Sequence, residues 1–314
     1  MKKIPGKGLN PNTAIWNWEL MVYDNQDRLV MTQDANLLTL GQWLFTKYDK
    51  FGRVAYTGIT TDSNSRSGLQ TIFNGKGSNN VERTTTNFAQ SGLLVYYDND
   101  AAKNYPNAIT KLLSVNYFDT YPAGAPTIPT SILSQGVLPQ TGSISTKSLP
   151  TASYVNNVEA DGWTKNYIWY DSKGRTIGTH SINHLGGYTK TESFIDFSGV
   201  PQNTNTYHKR RNADAELVVQ EEFEYDPQNR LLIHTHEVVG KTLKELLVEN
   251  HYNEIGQLEW KKVGGILGSP LQKVDYSYNI RGWMTGINSA DISQTTNPDN
   301  EYSTLLNGKL FGSN

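Results

Sequence analysis

His234 and His236 stand two residues apart in Ile233-His234-Thr235-His236. On an extended strand that spacing puts both imidazoles on one face. Such a pair can ligate zinc, with His251 as a candidate third ligand from a neighbouring hairpin. A polar exterior strand face explains the same residues without a metal; that reading is adopted, and no metal or cofactor is assigned. Asp24-Asn25-Gln26-Asp27 and Asp98-Asn99-Asp100 resemble pieces of calcium loops, but they lack the spacing and closing Glu of an EF-hand, and turn chemistry accounts for them. Glu221 and Glu249 are a candidate carboxylate pair for glycoside hydrolysis, which needs the two groups a few ångströms apart. Ser181 lies beside His180 and His184, yet no Gly-x-Ser-x-Gly elbow exists. Cysteine is absent, which removes thiol nucleophiles, Cys-based zinc sites and disulfides. Gly186-Gly187 and Gly264-Gly265 read as hairpin turns rather than phosphate cradles. His208-Lys209-Arg210-Arg211 is too short for a nucleic-acid footprint and reads as a solvated loop. The 28 basic and 30 acidic residues also leave no basic field for nucleic acid. The expectation is a non-enzymatic chain with no catalytic residue.

The elements that would position such groups declare themselves by repetition. Tyr-Asp, a short polar step, often Gly-Arg, and then an apolar residue recur along the 314 residues. The copies are Tyr23-Asp24-Asn25-Gln26-Asp27-Arg28-Leu29, Tyr48-Asp49-Lys50-Phe51-Gly52-Arg53-Val54, Tyr170-Asp171-Ser172-Lys173-Gly174-Arg175-Thr176 and Tyr225-Asp226-Pro227-Gln228-Asn229-Arg230-Leu231. Looser copies are Tyr252-Asn253-Glu254-Ile255-Gly256-Gln257-Leu258 and Tyr278-Asn279-Ile280-Arg281-Gly282-Trp283, and Ile195-Asp196-Phe197-Ser198-Gly199-Val200 is a decayed one. Tyr225, Tyr252 and Tyr278 are 27 and 26 residues apart, a period that marks a stacked repeat array. Asp opens a turn by accepting from the backbone N–H two residues on. The fifth position then needs a left-handed backbone, which Gly takes without strain and which Asp27 and Asn229 tolerate best among other residues. Tyr ends one strand and the apolar residue begins the next, so the two form a cross-strand pair.

Composition agrees with hairpins. There are 30 Asn, 31 Thr, 18 Tyr and 27 Gly, and 11% of residues are aromatic, so the chain is neither disordered nor a helical bundle. Val219, Phe223 and Tyr225 alternate with Gln220, Glu222 and Glu224, as a half-buried strand requires. The fold class expected is mainly β: stacked hairpins forming a long curved sheet, with a short helix near residues 63–73, where Ser and Asn precede Leu69, Ile72 and Phe73. Residues 1–120 read as an irregular β region with motifs at 23–29 and 48–54, residues 121–152 as a Pro/Ser/Thr/Gly-rich loop or linker, 153–290 as the regular array and 291–314 as a polar tail. No apolar run is long enough to span a membrane, and Met1-Lys2-Lys3-Ile4-Pro5-Gly6-Lys7 lacks the apolar stretch of a signal peptide.

The Tyr-Asp-x-x-Gly-Arg cores at 48–53 and 170–175, with the other copies at similar period, resemble the Rhs/YD-repeat proteins, a family of very large bacterial polypeptides. The string 163–191 and Val274-Asp275-Tyr276-Ser277-Tyr278-Asn279-Ile280-Arg281-Gly282-Trp283 resemble its surface or secreted members. The resemblance covers residues 20 to 290. It implies a hollow β-shell that encloses or displays a C-terminal toxin or effector and is not itself an enzyme. It implies repeat-forming roles for Tyr23, Asp24, Arg28, Tyr48, Asp49, Gly52, Arg53, Tyr170, Asp171, Gly174, Arg175, Tyr225, Asp226, Arg230, Tyr252, Gly256 and Tyr278. The implied partner is the remainder of a longer polypeptide, with further repeats and a toxin cargo, at the cell surface or secreted. The family's self-cleaving Asp-Pro-x-Gly signature is missing, since Asp226-Pro227 lacks the following Gly, so self-cleavage is not carried over. The chain ending shortly after a repeat reads as a fragment. The alternative use of this many aromatics is a surface module that binds cell-surface glycans or proteins by stacking.

Overall fold

The structure is a computed structural model and describes residues 19–159 and 162–288. It is mainly β. Sixteen antiparallel strands share one hydrogen-bonded order, in which chain neighbours are almost always sheet neighbours. Two compact units divide the described residues, one running to Thr130 and resuming at Gly136–Gly187, the other comprising Ser131–Gln135 and Tyr188 onward. No helix among the described residues is long and apolar enough to cross a membrane.

In the first unit β1 (Leu20–Tyr23), β2 (Leu29–Gln33), β3 (Gln42–Tyr48) and β4 (Val54–Thr61) form a meander, with α1 (Ala35–Thr39) between β2 and β3. The chain then leaves the sheet for α2 (Arg66–Gly75) and a separate hairpin of β5 (Arg83–Gln90) and β6 (Leu93–Tyr97). It returns as β7 (Lys111–Phe118), which pairs with β4. The 121–152 stretch carries two 2-residue strands, β8 (Ser131–Ile132) and β9 (Gln135–Gly136). After them β10 (Pro150–Asn156), β11 (Trp163–Tyr170) and β12 (Thr176–Ile182) resume the sheet.

Residues 1–120 were expected to be irregular, and their described part is corrected here. Five of their strands belong to the main ladder, and the broken period comes from the α2–β5–β6 insertion. That insertion is where the core sits. Leu69 and Phe73, one helical turn apart on α2, are buried with Val95 and Tyr97 of β6 against Trp43, Phe45, Tyr56, Val115 and Tyr117 of the sheet. Ser65 caps α2, its Oγ accepting from Gly68 N at 3.2 Å, so the helix starts at Arg66 rather than at 63. The five-residue α1 buries nothing and has no periodic apolar signal. The stretch 121–152 does not part the units: β7 pairs with β10 across it, with Tyr154 opposite Val115. Tyrosines run through the core, Tyr97 stacking on Tyr117 at 5.5 Å, Tyr117 meeting Tyr154 at 5.2 Å and Tyr154 meeting Tyr167 at 5.8 Å.

The second unit continues as an unbroken meander of β13 (Gly186–Ile195), β14 (Pro201–Arg211), β15 (Leu217–Tyr225), β16 (Leu231–Val238), β17 (Glu245–Tyr252), β18 (Leu258–Ile266), β19 (Ser269–Tyr278) and β20 (Met284–Ile287). With no insertion to cover it, only Ile132, Ile195, Thr235 and Leu246 are buried among its described residues. Two sequence expectations change here. His208 to Arg211 end strand β14 instead of forming a loop. Gly264 and Gly265 lie inside β18, and the tight turn is Leu267-Gly268, since Ile266 pairs with Ser269. Gly265 is needed because a Cβ there would lie 2.5 Å from Ser269 O. The polar tail expected at 291–314 lies outside the described residues.

Candidate functional site

The feature repeated through both units is one turn, built the same way each time. Asp24, Asp49, Asp171 and Asp226 each accept three bonds from within five residues. Asp171 Oδ1 takes the N–H of Lys173 and of Arg175, both at 2.9 Å, while Oδ2 takes Arg175 Nε at 2.8 Å. The corresponding bonds are 2.9, 2.9 and 2.7 Å at Asp24 with Gln26 and Arg28. They are 2.9, 3.0 and 2.7 Å at Asp49 with Phe51 and Arg53, and 2.9, 2.9 and 2.5 Å at Asp226 with Gln228 and Arg230. The backbone closes each turn, as when Asp171 N donates to Arg175 O and Gly174 N to Asp171 O. The fifth position is left-handed throughout: φ is 77° at Gly52 and Gly174, 83° at Gly256, 57° at Asp27 and 60° at Asn229.

Where Arg is replaced, the acid usually becomes an amide. Asn253 faces Gln257 and Asn279 faces Trp283, and each amide oxygen still accepts the same two backbone N–H groups. The hairpin turn expected at Gly186-Gly187 is a further copy of this motif, which sequence reading did not recognise as one: it opens at Asn183, whose Oδ1 accepts from Leu185 N at 2.9 Å and Gly187 N at 3.0 Å. Its signal was the Gly at the left-handed position, Gly186, with φ of 77°. Asp196 with Val200 keeps the acid without an Arg. Burial pushes the Asp171 carboxyl up, but the bonds from Arg175 and Lys173 outweigh it and hold the group below its ordinary value. The Arg53 guanidinium does the same for Asp119, which it grips through both nitrogens at 3.2 and 2.7 Å.

The tyrosines face backwards along the chain. Tyr48 Oη donates to Leu29 O at 2.8 Å, Tyr170 Oη to Pro150 O at 2.6 Å, Tyr252 Oη to Leu231 O at 3.1 Å and Tyr278 Oη to Leu258 O at 3.0 Å. Arg28 lies over the Tyr48 ring at 4.7 Å and Arg230 over the Tyr252 ring at 4.6 Å. Tyr48 and Tyr252 therefore rest on the arginine of the preceding turn and bond the carbonyl just after it, whereas Tyr278 bonds the carbonyl that follows Gln257 and Tyr170 the one that follows Leu149. Within its own hairpin Tyr23 faces Leu29, Tyr48 faces Val54, Tyr225 faces Leu231 and Tyr252 faces Leu258, but Tyr170 faces Thr176 and Tyr278 faces Met284. For Tyr225 no hydroxyl stitch of this kind is seen, and Tyr23 Oη contacts Met21 Sδ.

The groups considered for chemistry do not converge. His234 Nε2 pairs with Glu221 on β15, whereas His236 Nε2 pairs with Glu245 on β17, each at 3.0 Å, so the two rings point to opposite neighbours. His251 stacks on Trp260 at 4.9 Å and pairs with Glu259. Glu249 is held by Lys262 and Glu221 by His234, so the two carboxylates have different partners. His180 packs edge-on to Tyr167 and Trp169. Asp100 Oδ1 accepts from Ala102 N within a turn, whereas Asp98 Oδ1 accepts from Glu82 N, 16 residues back. No group of three metal-ligating side chains lies together among the described residues. Of the described tryptophans Trp43, Trp163 and Trp169 are buried, Trp260 is covered by His251, and Trp283 is exposed, with Arg281 5.6 Å from its ring.

No family model and no curated protein matches this chain. Similar solved structures are the crystal structure of TcdB2-TccC3-Cdc42 (12% identity, TM-score 0.28), the Photorhabdus luminescens Tc holotoxin pore carrying TccC3-D651A (12%, 0.26) and the crystal structure of TcdB2-TccC3 (11%, 0.26). The matches cover 88%, 88% and 90% of this chain, which spans only 16%, 15% and 20% of the length of those chains.

Proposed function

We propose that this chain is a non-enzymatic wall segment of an Rhs/YD-repeat β-shell that encloses or displays another part of its own polypeptide, a toxin or effector. The observation that carries the reading is the stitch between successive hairpins, in which Tyr48, Tyr252 and Tyr278 each bond the carbonyl at the start of the strand one hairpin back. The stitch uses side chains to weld neighbouring hairpins, so its output is a continuous wall and not a pocket with reacting groups. The segment works as part of a longer protein that is secreted or placed at the cell surface.

The test uses the complete polypeptide in which the segment occurs. Enclosure predicts that the region C-terminal to the wall resists added protease until the wall is unfolded, while the same region expressed alone is cut. Cleavage of that region at the same rate in both settings would overturn the proposal.

A further inference from the structure

Lys47 occupies a position its strand reserves for apolar side chains. It lies on the same parity of β3 as Trp43 and Phe45, opposite Tyr56, and is 0% exposed. Its Nζ donates to Asn104 Oδ1 at 2.7 Å, and Asn104 is also 0% exposed. Asn107 Nδ2 approaches the same oxygen at 3.4 Å, while Asn104 Nδ2 is buried without a hydrogen-bond partner. Burying a lysine on a single neutral amide is costly unless something compensates for the lost hydration.

We propose that Lys47 and Asn104 react with each other to form an intramolecular isopeptide bond between Lys47 Nζ and Asn104 Cγ, with loss of ammonia. The neutral amine attacks Cγ, which is one C=O bond length, about 1.2 Å, from the oxygen it already touches. A tetrahedral centre forms, and its oxygen is met by the Asn107 amide. The Cγ–Nδ2 bond then breaks, and one proton passes from the attacking nitrogen to the departing one. The products are a secondary amide and NH3, so atoms balance without oxidant or cofactor. That proton passes directly between the two nitrogens, both bonded to the same Cγ in the tetrahedral centre.

The surroundings favour each step. Desolvation pushes the Lys47 amine well below its ordinary value, more than Asp98 pulls it back, and Lys76 lowers it further, so the nucleophilic form is available. Both partners are held in place before reaction, Asn104 by its N–H on Asp100 O at 2.9 Å and Lys47 by the β3 ladder. The buried site keeps water from competing as nucleophile. The bond would join residues 57 apart and close the chain around β4, α2, β5 and β6. It would thereby staple the insertion to the sheet whose face it covers.

The experiment is intact mass spectrometry of the folded full-length chain, followed by protease mapping. The expected mass is about 17 Da below that of the sequence, with a branched peptide joining Lys47 to Asn104. Asn104→Ala and Lys47→Met should each restore the full mass. A folded wild-type chain at full mass, with Lys47 and Asn104 on separate linear peptides, would overturn the proposal. So would an ammonia loss that maps to the Asn74-Gly75 or Asn307-Gly308 pairs, where it reports a succinimide. The wild-type result decides the matter even where a variant fails to fold.

Discussion

Replacing Asp171 by Asn and by Ala separates the two things its carboxylate does. Ala removes the acceptor for Lys173 N and Arg175 N, both at 2.9 Å, together with the ion pair to Arg175 at 2.6 Å. Lys173 is exposed, so its N–H turns to water at little cost, whereas the Arg175 N–H is partly buried and forfeits about 1 kcal/mol. Loss of the charge-assisted bond adds about 2 kcal/mol, for a total of about 3 kcal/mol. Asn keeps an oxygen for both N–H groups, as Asn253 and Asn279 do in this chain, and forfeits only the ion pair. Since the Arg175 side chain is 29% exposed and partly screened, that costs about 1 kcal/mol. In an Arg175→Gln background Asp171→Asn should cost under about 0.5 kcal/mol, because the counter-charge is gone and Asn keeps an oxygen for both N–H groups. Urea unfolding of the four variants, followed by far-ultraviolet circular dichroism, measures all these terms. Equal losses for Asn and Ala, or an Asn loss unaffected by Arg175→Gln, would refute the account of the turn.

The other predictions concern the stitches, the glycines and pH. Tyr170→Phe removes only the hydroxyl on Pro150 O and should lower stability by about 1 kcal/mol in the same urea assay, while the isosteric ring keeps its packing; no measurable loss would deny the stitch a role. Gly52→Ala meets no atom within 4 Å and should cost about 1–2 kcal/mol, from its positive φ alone. Gly58→Ala should cost more despite an ordinary φ, because its Cβ would fall 2.6 Å from Lys111 O and 2.7 Å from the Phe45 ring; the reverse order in thermal unfolding would contradict this packing. Asp119 and Asp171 titrate below 3.8, so their stabilisation is complete above that pH and is lost as the pH falls through the lower folded values. A midpoint of thermal unfolding that drops between about pH 6 and 5 would contradict that window. Burial pushes Tyr105 and Tyr117 up to about 12, so their contribution is complete below pH 10 and is lost as the pH rises through 12. Absorbance at 295 nm should therefore show a class of tyrosines still un-ionised at about pH 11; one class titrating near 10 would refute the burial.

What the residues alone determined is what closes within five positions. The acceptor at Asp or Asn, the left-handed site at Gly52, Gly174, Asp27 and Asn229, and the alternation of the flanking strands depend on local sterics and nearby N–H groups, so each is written in consecutive residues. Mainly β architecture follows, because hairpins with half-apolar faces must pair. The helix at Leu69, Ile72 and Phe73 was legible for the same reason, since its spacing and Ser65 cap are local. Tertiary structure decided everything whose partner is distant. The motif's arginine and tyrosine carry no mark of their use across hairpins, and Tyr252 finds Leu231 O, 21 residues back, only because sheet register brings them together. The insertion of α2, β5 and β6 breaks the period in sequence but not the ladder, since hydrogen bonding joins whichever strands lie adjacent. The histidine pair shared a face as alternation required, yet its two rings turned to carboxylates on opposite strands. Lys47 reads as one more polar residue of a strand; its burial against Asn104 exists only once packing has excluded water from both.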